Sequence, residues 1–132
     1  LTKDLGFSKE DRNTNIERVT FVAKLLTRND VIVLCSFISP YQARRDQSRE
    51  EIGEFVEIFV HAPLEVCAER DVKGLYAKAF AGEIENFTGV SDPYEEPEEA
   101  DLVLYTADET PEDSAAKVIA YLEERAYIPN GR

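Results

Sequence analysis

The sequence predicts an α/β protein, a doubly wound, mostly parallel sheet with helices on both faces, and three observations lead to it. The first is a set of nearly solid apolar runs, VIVLCSF at 31–37, FVEIFVHA at 55–62 and DLVLYT at 101–106. Runs without polar alternation suit strands covered on both faces. The second is that segments with helical signals fall between these runs, the pattern of a parallel sheet with crossover helices. The third is size: 132 residues, 43% hydrophobic and 32% charged, fit one globular domain over 1–132 with a core of its own.

The elements follow in order. SKED at 8–11 puts Ser8 ahead of a first turn containing Asp11, and Ile16, Val19, Val22, Ala23 and Leu26 then recur at helical spacing. A helix over 9–28 is expected. After the apolar run at 31–37, YQARRDQSREE predicts a helix over 41–51. The run at 55–62 leads to Pro63, a residue suited to a first helical turn, and a helix over 63–70. Residues 71–94, DVKGLYAKAFAGEIENFTGVSDPY, carry no single period. Gly74, Gly82 and Gly89 punctuate them, and Tyr76, Phe80, Phe87 and Tyr94 lack periodic apolar partners, so this segment is expected to be mobile. Aromatics in such a segment are either packed down by the fold or meet a flat ligand. YEEPEE at 94–99 reads as a turn, and Pro111 opens a final helix over 111–125.

Composition excludes several partners. No apolar run approaches the ~20 residues of a membrane-spanning helix, and LTKDLGFSKED has no signal-peptide core, so no membrane partner and a cytoplasmic location are expected. A net charge of −12 disfavours nucleic acid, whose phosphates are neutralised by lysine and arginine. Between 91 and 116 there are ten acidic residues and no basic one, which reads as a solvated acidic face. Arg12, Arg18, Arg44, Arg45, Arg49, Arg70, Lys73 and Lys78 all precede it, leaving room for a small anionic ligand in the first two thirds. Cys35 and Cys67 sit in apolar surroundings without metal spacing, so two buried free thiols are expected.

Open α/β sheets bind ligands beyond the carboxyl ends of their strands, which directs attention to SFISPY, HAPLE and TADET. SFISPYQARRDQSR sets Ser36, Ser39, Arg44, Arg45 and Arg49 around a helix start, where backbone N–H groups favour an anion and arginines add bidentate donors. The plainer reading, which the residues alone favour, is that Ser39 with Pro40 caps a helix and the arginines are solvated. In DLGFSKEDRNTNIERV, Arg12, Asn15 and Arg18 recur every third residue beside Phe7 and could converge on a ligand, although Phe7 could instead staple the first turn. His61, the one histidine, reads as structural or exposed, with no Ser or Cys partner placed for a nucleophilic triad. Neither G-x-G-x-x-G nor G-x-x-x-x-G-K-[ST] occurs.

DLGFSKEDRNTNIERV, SFISPY, APLEVCAERDVKGLY and AGEIENFTGVSDPYEEP, in this order from 1 to about 104, resemble the adenylylsulfate kinase family. The resemblance implies a P-loop NTPase-like kinase fold, here without its N-terminal P-loop unit, and transfer of the ATP γ-phosphoryl group to the 3′-hydroxyl of adenosine 5′-phosphosulfate, giving 3′-phosphoadenylyl sulfate in sulfate assimilation. It implies ATP with Mg²⁺, a homodimer, and fusion to or association with ATP sulfurylase in some members. Residues 71–90 would form a lid in which Phe87, flanked by Thr88, stacks on the substrate adenine opposite Phe7. Arg12, Asn15, Ile38, Ser39, Lys73, Gly74 and Leu75 would contact the substrate, and Arg70 would approach the ATP phosphates. Ser39 would be either a ligand contact or a phosphorylated catalytic residue. Three departures stand out. The Walker A loop and D-G-D-N motif that precede these motifs in the family are absent from the 132 residues, so the fragment alone is expected to be inactive. Phe80 stands where the family is usually basic, and ENF at 85–87 replaces a lysine-containing approach. The alternative reading is a non-catalytic, kinase-like regulatory domain of a fused ATP sulfurylase that binds 3′-phosphoadenylyl sulfate; a different P-loop nucleoside kinase is a third.

Overall fold

The computed structural model describes residues 1–131. Its elements are α1 (Lys9–Thr27), α2 (Gln42–Ile52), β1 (Ile58–His61), α3 (Leu64–Glu69), α4 (Leu75–Phe80), β2 (Leu102–Tyr105) and α5 (Pro111–Glu124). They divide between two compact units, Leu1–Phe55 with Val72–Pro97, and Val56–Asp71 with Glu98–Arg132.

The first unit is built on α1 and α2. Ser8 caps α1 through its hydroxyl, which accepts the Asp11 N–H at 3.1 Å, as the SKED signature predicts. The buried residues Ile16, Thr20 and Ala23 recur at helical spacing and form one stripe of α1. That stripe meets α2, where the Thr20 and Ser48 hydroxyls share a buried 2.7 Å hydrogen bond. Pairing the two hydroxyls removes the cost of burying either alone.

The structure corrects the sequence at α2's start. Its N-cap is Tyr41, with no side-chain cap, so Ser39 and Pro40 do not cap the helix. The Glu95 carboxylate accepts the Gln42 N–H at 2.6 Å instead, placing a negative charge at the positive end of the helix. Arg45 is buried, at 7% exposure, rather than solvated.

A second correction concerns 31–37. The run is not a strand and its side chains are largely exposed, Leu34 at 87%. A solid apolar run predicts a strand only where neighbouring strands take its N–H and C=O groups, and among the described residues none is paired with it. Cys35 is consequently exposed and Cys67 only half-buried; both thiols are free, but neither lies in a core as expected.

The second unit holds the parallel pair, in which Ile58, Phe59, Val60 and His61 face Leu102, Val103, Leu104 and Tyr105. Side chains fix its two ends. Asp101 accepts the Glu57 N–H at 2.7 Å before the pair begins, and the Thr106 N–H and hydroxyl both donate to the His61 carbonyl at 3.0 Å where it ends. His61 lies edge-on to Phe59 and Tyr105, with centroids 5.3 and 5.4 Å away, so the lone histidine is structural. Helix α5 packs on β2 and starts with a reciprocal capping box between Thr110 and Asp113, followed by Pro111.

The acidic stretch after 91 is not merely a solvated face. Asp92, Glu95, Asp101, Glu109 and Asp113 each accept a specific hydrogen bond.

Candidate functional site

Arg12 organises the polar cluster of the first unit. It lies in the opening turns of α1, fixed by the Ser8 cap, and its planar guanidinium reaches toward two loops at once. Nε donates to the Phe7 carbonyl at 3.0 Å, Nη2 to the Asn86 carbonyl at 2.5 Å, and Nη1 to the Thr88 hydroxyl. One cation thus joins the loop before α1 to the segment around Phe87, across more than seventy residues of sequence. Each terminal nitrogen carries a second N–H that these bonds do not use, in a planar fork that a lysine ammonium would not offer.

Phe87 is carried on a closed turn. Its carbonyl accepts the N–H groups of Val90, Ser91 and Asp92, all at 3.0 Å, while its own N–H donates to the Ser91 hydroxyl at 2.9 Å. Asn86 enters the turn with φ of 55° and Gly89 continues it at 85°, left-handed values that asparagine and glycine tolerate. The Phe87 ring meets Tyr76 of α4 edge-on at 5.0 Å, and Tyr76 stands 6.4 Å from Phe80. The aromatics of 71–94 therefore hold one another in part, which their spacing does not reveal. Phe87 is half-buried, whereas Phe7 is 71% exposed and does not staple α1.

The other expected residues take varied positions. Asn15 lies about one turn beyond Arg12, and its Oδ1 is buried without a hydrogen-bond partner among the described residues, a state that calls for a ligand or a water. Ser39 adopts φ of 40°, unusual for a side chain with a Cβ, and Arg45 Nη1 holds its carbonyl at 2.8 Å. Ile38 is exposed. Lys73 is exposed as well, and Gly74, at φ of 66°, caps α4 ahead of Leu75. Arg70 belongs to the second unit and donates to the Thr106 carbonyl at 2.7 Å. Arg18 does not converge with Arg12. It grips both carboxylate oxygens of Asp4 at 2.7 Å and the Leu1 carbonyl, and this pairing lowers the Asp4 pKa to about 2.

Tyr41, Asp92 and Glu95, which the sequence did not single out, join these pieces together with Arg45, which it offered as an anion donor. Tyr41 donates its hydroxyl to Asp92 Oδ2 at 2.9 Å, and burial followed by this bond raises the phenol's pKa. Arg45 donates to both the Ser39 and the Glu95 carbonyls, and the Glu95 N–H returns a bond to the Pro40 carbonyl at 2.9 Å. An acid shortly after FTG and an arginine inside a helix start were visible in the sequence, but their mutual reach was not.

The parallel pair and the helices define an α/β protein, and Arg12 heads a polar loop cluster in its first unit. The family model described as adenylylsulphate kinase matches residues 1–105, and the chain belongs to this family. It is 69% identical over 128 residues to an adenylyl-sulfate kinase of Halothermothrix orenii, covering 97% of this chain and 69% of that protein. A probable bifunctional SAT/APS kinase 2 of Sorangium cellulosum is 55% identical, covering 98% of this chain and 22% of the longer protein. Among solved structures, an APS kinase of Mycobacterium tuberculosis in complex with AMPPNP and APS is similar with a TM-score of 0.86 and 44% identity, covering 91% of this chain and 71% of that one. The α/β class expected from the apolar runs and the P-loop NTPase-like kinase fold implied by the resemblance are thereby shown.

Proposed function

We propose that this chain carries the substrate side of an adenylyl-sulfate kinase, an enzyme that moves the γ-phosphoryl group of ATP to the 3′-hydroxyl of adenosine 5′-phosphosulfate. The products are ADP and 3′-phosphoadenylyl sulfate; the P–O bond between the γ-phosphoryl group and ADP breaks, one to the 3′-oxygen forms, and the hydroxyl proton passes to solvent. The observation that carries the reading is Arg12, which ties the Phe7 loop to Asn86 and Thr88 while keeping donors for an anion.

In this reading Phe7, exposed on its loop, and Phe87, on its closed turn, offer aromatic faces to adenine, each worth ~1–3 kcal/mol by stacking. Arg12 orients the turn and uses its remaining N–H groups on the substrate's anionic side, and Asn15 supplies the buried acceptor that now lacks a donor. Ile38 and Ser39 line the floor. Ser39 is a ligand contact: its strained backbone, pinned by Arg45, favours one fixed position over the movement a phosphorylated intermediate requires. Residues 71–90 act as a lid, with Lys73, Gly74 and Leu75 at its entrance and Phe87 near its end. Arg70 would serve the ATP side with the N–H groups not given to Thr106.

Phosphoryl transfer depends on positioning and charge neutralisation. Mg²⁺ arriving with ATP would supply the neutralisation, but among the described residues no group of His, Cys, Asp or Glu is arranged to hold a metal, so no step is assigned through it. No glycine-rich phosphate loop occurs within the 132 residues, so the test belongs on the full gene product. Incubated with Mg²⁺, ATP and adenosine 5′-phosphosulfate, it should form ADP and 3′-phosphoadenylyl sulfate in equal amounts, resolved by anion-exchange chromatography. ADP release that ignores the sulfate substrate would point to a different acceptor, and tight binding of 3′-phosphoadenylyl sulfate without turnover would favour a regulatory domain. A dimer, an attachment to ATP sulfurylase and a cytoplasmic setting complete the proposal; sedimentation of the full product addresses the first.

A further inference from the structure

The turn that carries Phe87 is closed on itself, so its orientation depends on what holds the turn as a whole. Its last residue, Asp92, uses its backbone to close the turn, with its N–H on the Phe87 carbonyl and its own carbonyl accepting Gly89 N–H at 2.7 Å. Its side chain points elsewhere and accepts the Tyr41 hydroxyl at 2.9 Å. Tyr41 is buried, at 6% exposure, and is the N-cap residue of α2. The same helix end fixes the following residues by independent bonds: Gln42 N–H to the Glu95 carboxylate at 2.6 Å, Glu95 N–H to the Pro40 carbonyl at 2.9 Å, and Arg45 to the Glu95 carbonyl at 2.7 Å. Arg45 also holds Ser39.

We propose that Tyr41, acting through Asp92, is a positioning residue that sets the Phe87 turn against the Ser39 side of the site, so that adenylyl sulfate, rather than ATP, is the ligand whose affinity it controls. The inference rests on the functional reading above. Its physical basis is a division of labour: the Glu95 bonds anchor the chain, while the buried phenol and its half-buried carboxylate partner fix the angle at which the turn leaves that anchor. Losing the hydroxyl alone leaves the ring's packing and every Glu95 bond in place, so Tyr41→Phe should fold normally.

The test is a double-mutant cycle on the full gene product, read by two independent measurements. Calorimetric titration should show Tyr41→Phe and Asp92→Ala each weakening adenosine 5′-phosphosulfate binding roughly threefold to tenfold, the range of one hydrogen bond, with ATP affinity unchanged. The double variant should be no worse than either single one, and Asp92→Asn, which keeps an acceptor oxygen, should bind like the parent. Hydrogen exchange in ligand-free protein should show faster exchange at the amides of Val90, Ser91 and Asp92 in Tyr41→Phe and Asp92→Ala only. Unchanged exchange, additive losses, or parallel losses for both nucleotides would overturn the proposal, as would faster exchange with unaltered sulfate-substrate affinity. If the parent itself fails to bind adenosine 5′-phosphosulfate, the functional reading falls, and the exchange arm decides the latch by itself.

Discussion

Two arginines on α1 show how far spacing can be trusted. Arg12 and Arg18 share a helix and both read as ligand candidates, yet Arg12 binds Phe7, Asn86 and Thr88 while Arg18 is spent on Asp4. The partners, not the period, decide their roles, and the partners come from loops whose course the sequence does not print. Arg12→Lys removes the fork that spans two loops, so binding of adenosine 5′-phosphosulfate should fall by roughly 1.5–3 kcal/mol in a titration, the weight of a charge-assisted bond. Near-parental affinity would reduce Arg12 to a surface charge. The Arg18 pair has its own signature. Hydrogen bonding from Arg18 holds Asp4 at about 2, below its ordinary 3.8, so the folded state binds this proton less readily than the unfolded chain. The pair's contribution is therefore present above pH ~4 and is lost as pH falls through about 2. An NMR titration of the Asp4 carboxyl should give that low midpoint, and Arg18→Ala should return it to the ordinary range.

At the scale of elements, legibility followed locality. Helices α1 and α5 end within a residue or so of expectation because their caps are written beside them, Ser8 with Asp11 and Thr110 with Asp113 and Pro111. The pair β1 and β2 was legible as two apolar runs, although each is shorter than its run. The run at 31–37 has the same composition and forms no strand, since pairing is a property of two segments and composition is a property of one. Short α4 was hidden among glycines and aromatics, and its packing of Tyr76 on Phe87 requires three-dimensional neighbours to see. The local rule also makes a testable claim. Thr110→Ala removes one half of the capping box and should lower stability by about 1 kcal/mol in urea unfolding, whereas Thr110→Ser should be nearly neutral. Equal loss in both variants would mean that the methyl group, not the cap, matters there.

Across the whole chain, chemistry and architecture are unevenly shared. Phe7, Arg12, Asn15, Ile38, Ser39, Lys73, Gly74, Leu75, Phe87 and Thr88 all belong to the unit formed by Leu1–Phe55 and Val72–Pro97, while Arg70 and the parallel pair belong to the other. The proposed contacts to adenosine 5′-phosphosulfate all lie in the first unit, so substitutions there are expected to act on that nucleotide and not on ATP. A net charge of −12 does not forbid the proposed anionic substrate, because Arg12, the cation assigned to it, is held in place by local bonds. The central claim is that Phe87 offers its face to the adenine of adenosine 5′-phosphosulfate. Its most direct test is a pair of calorimetric titrations on parent and Phe87→Ala full gene product, one with adenosine 5′-phosphosulfate and one with ATP. The account predicts a loss of ~1–3 kcal/mol for the sulfate substrate and none for ATP; equal losses for both, or no loss for either, would contradict it.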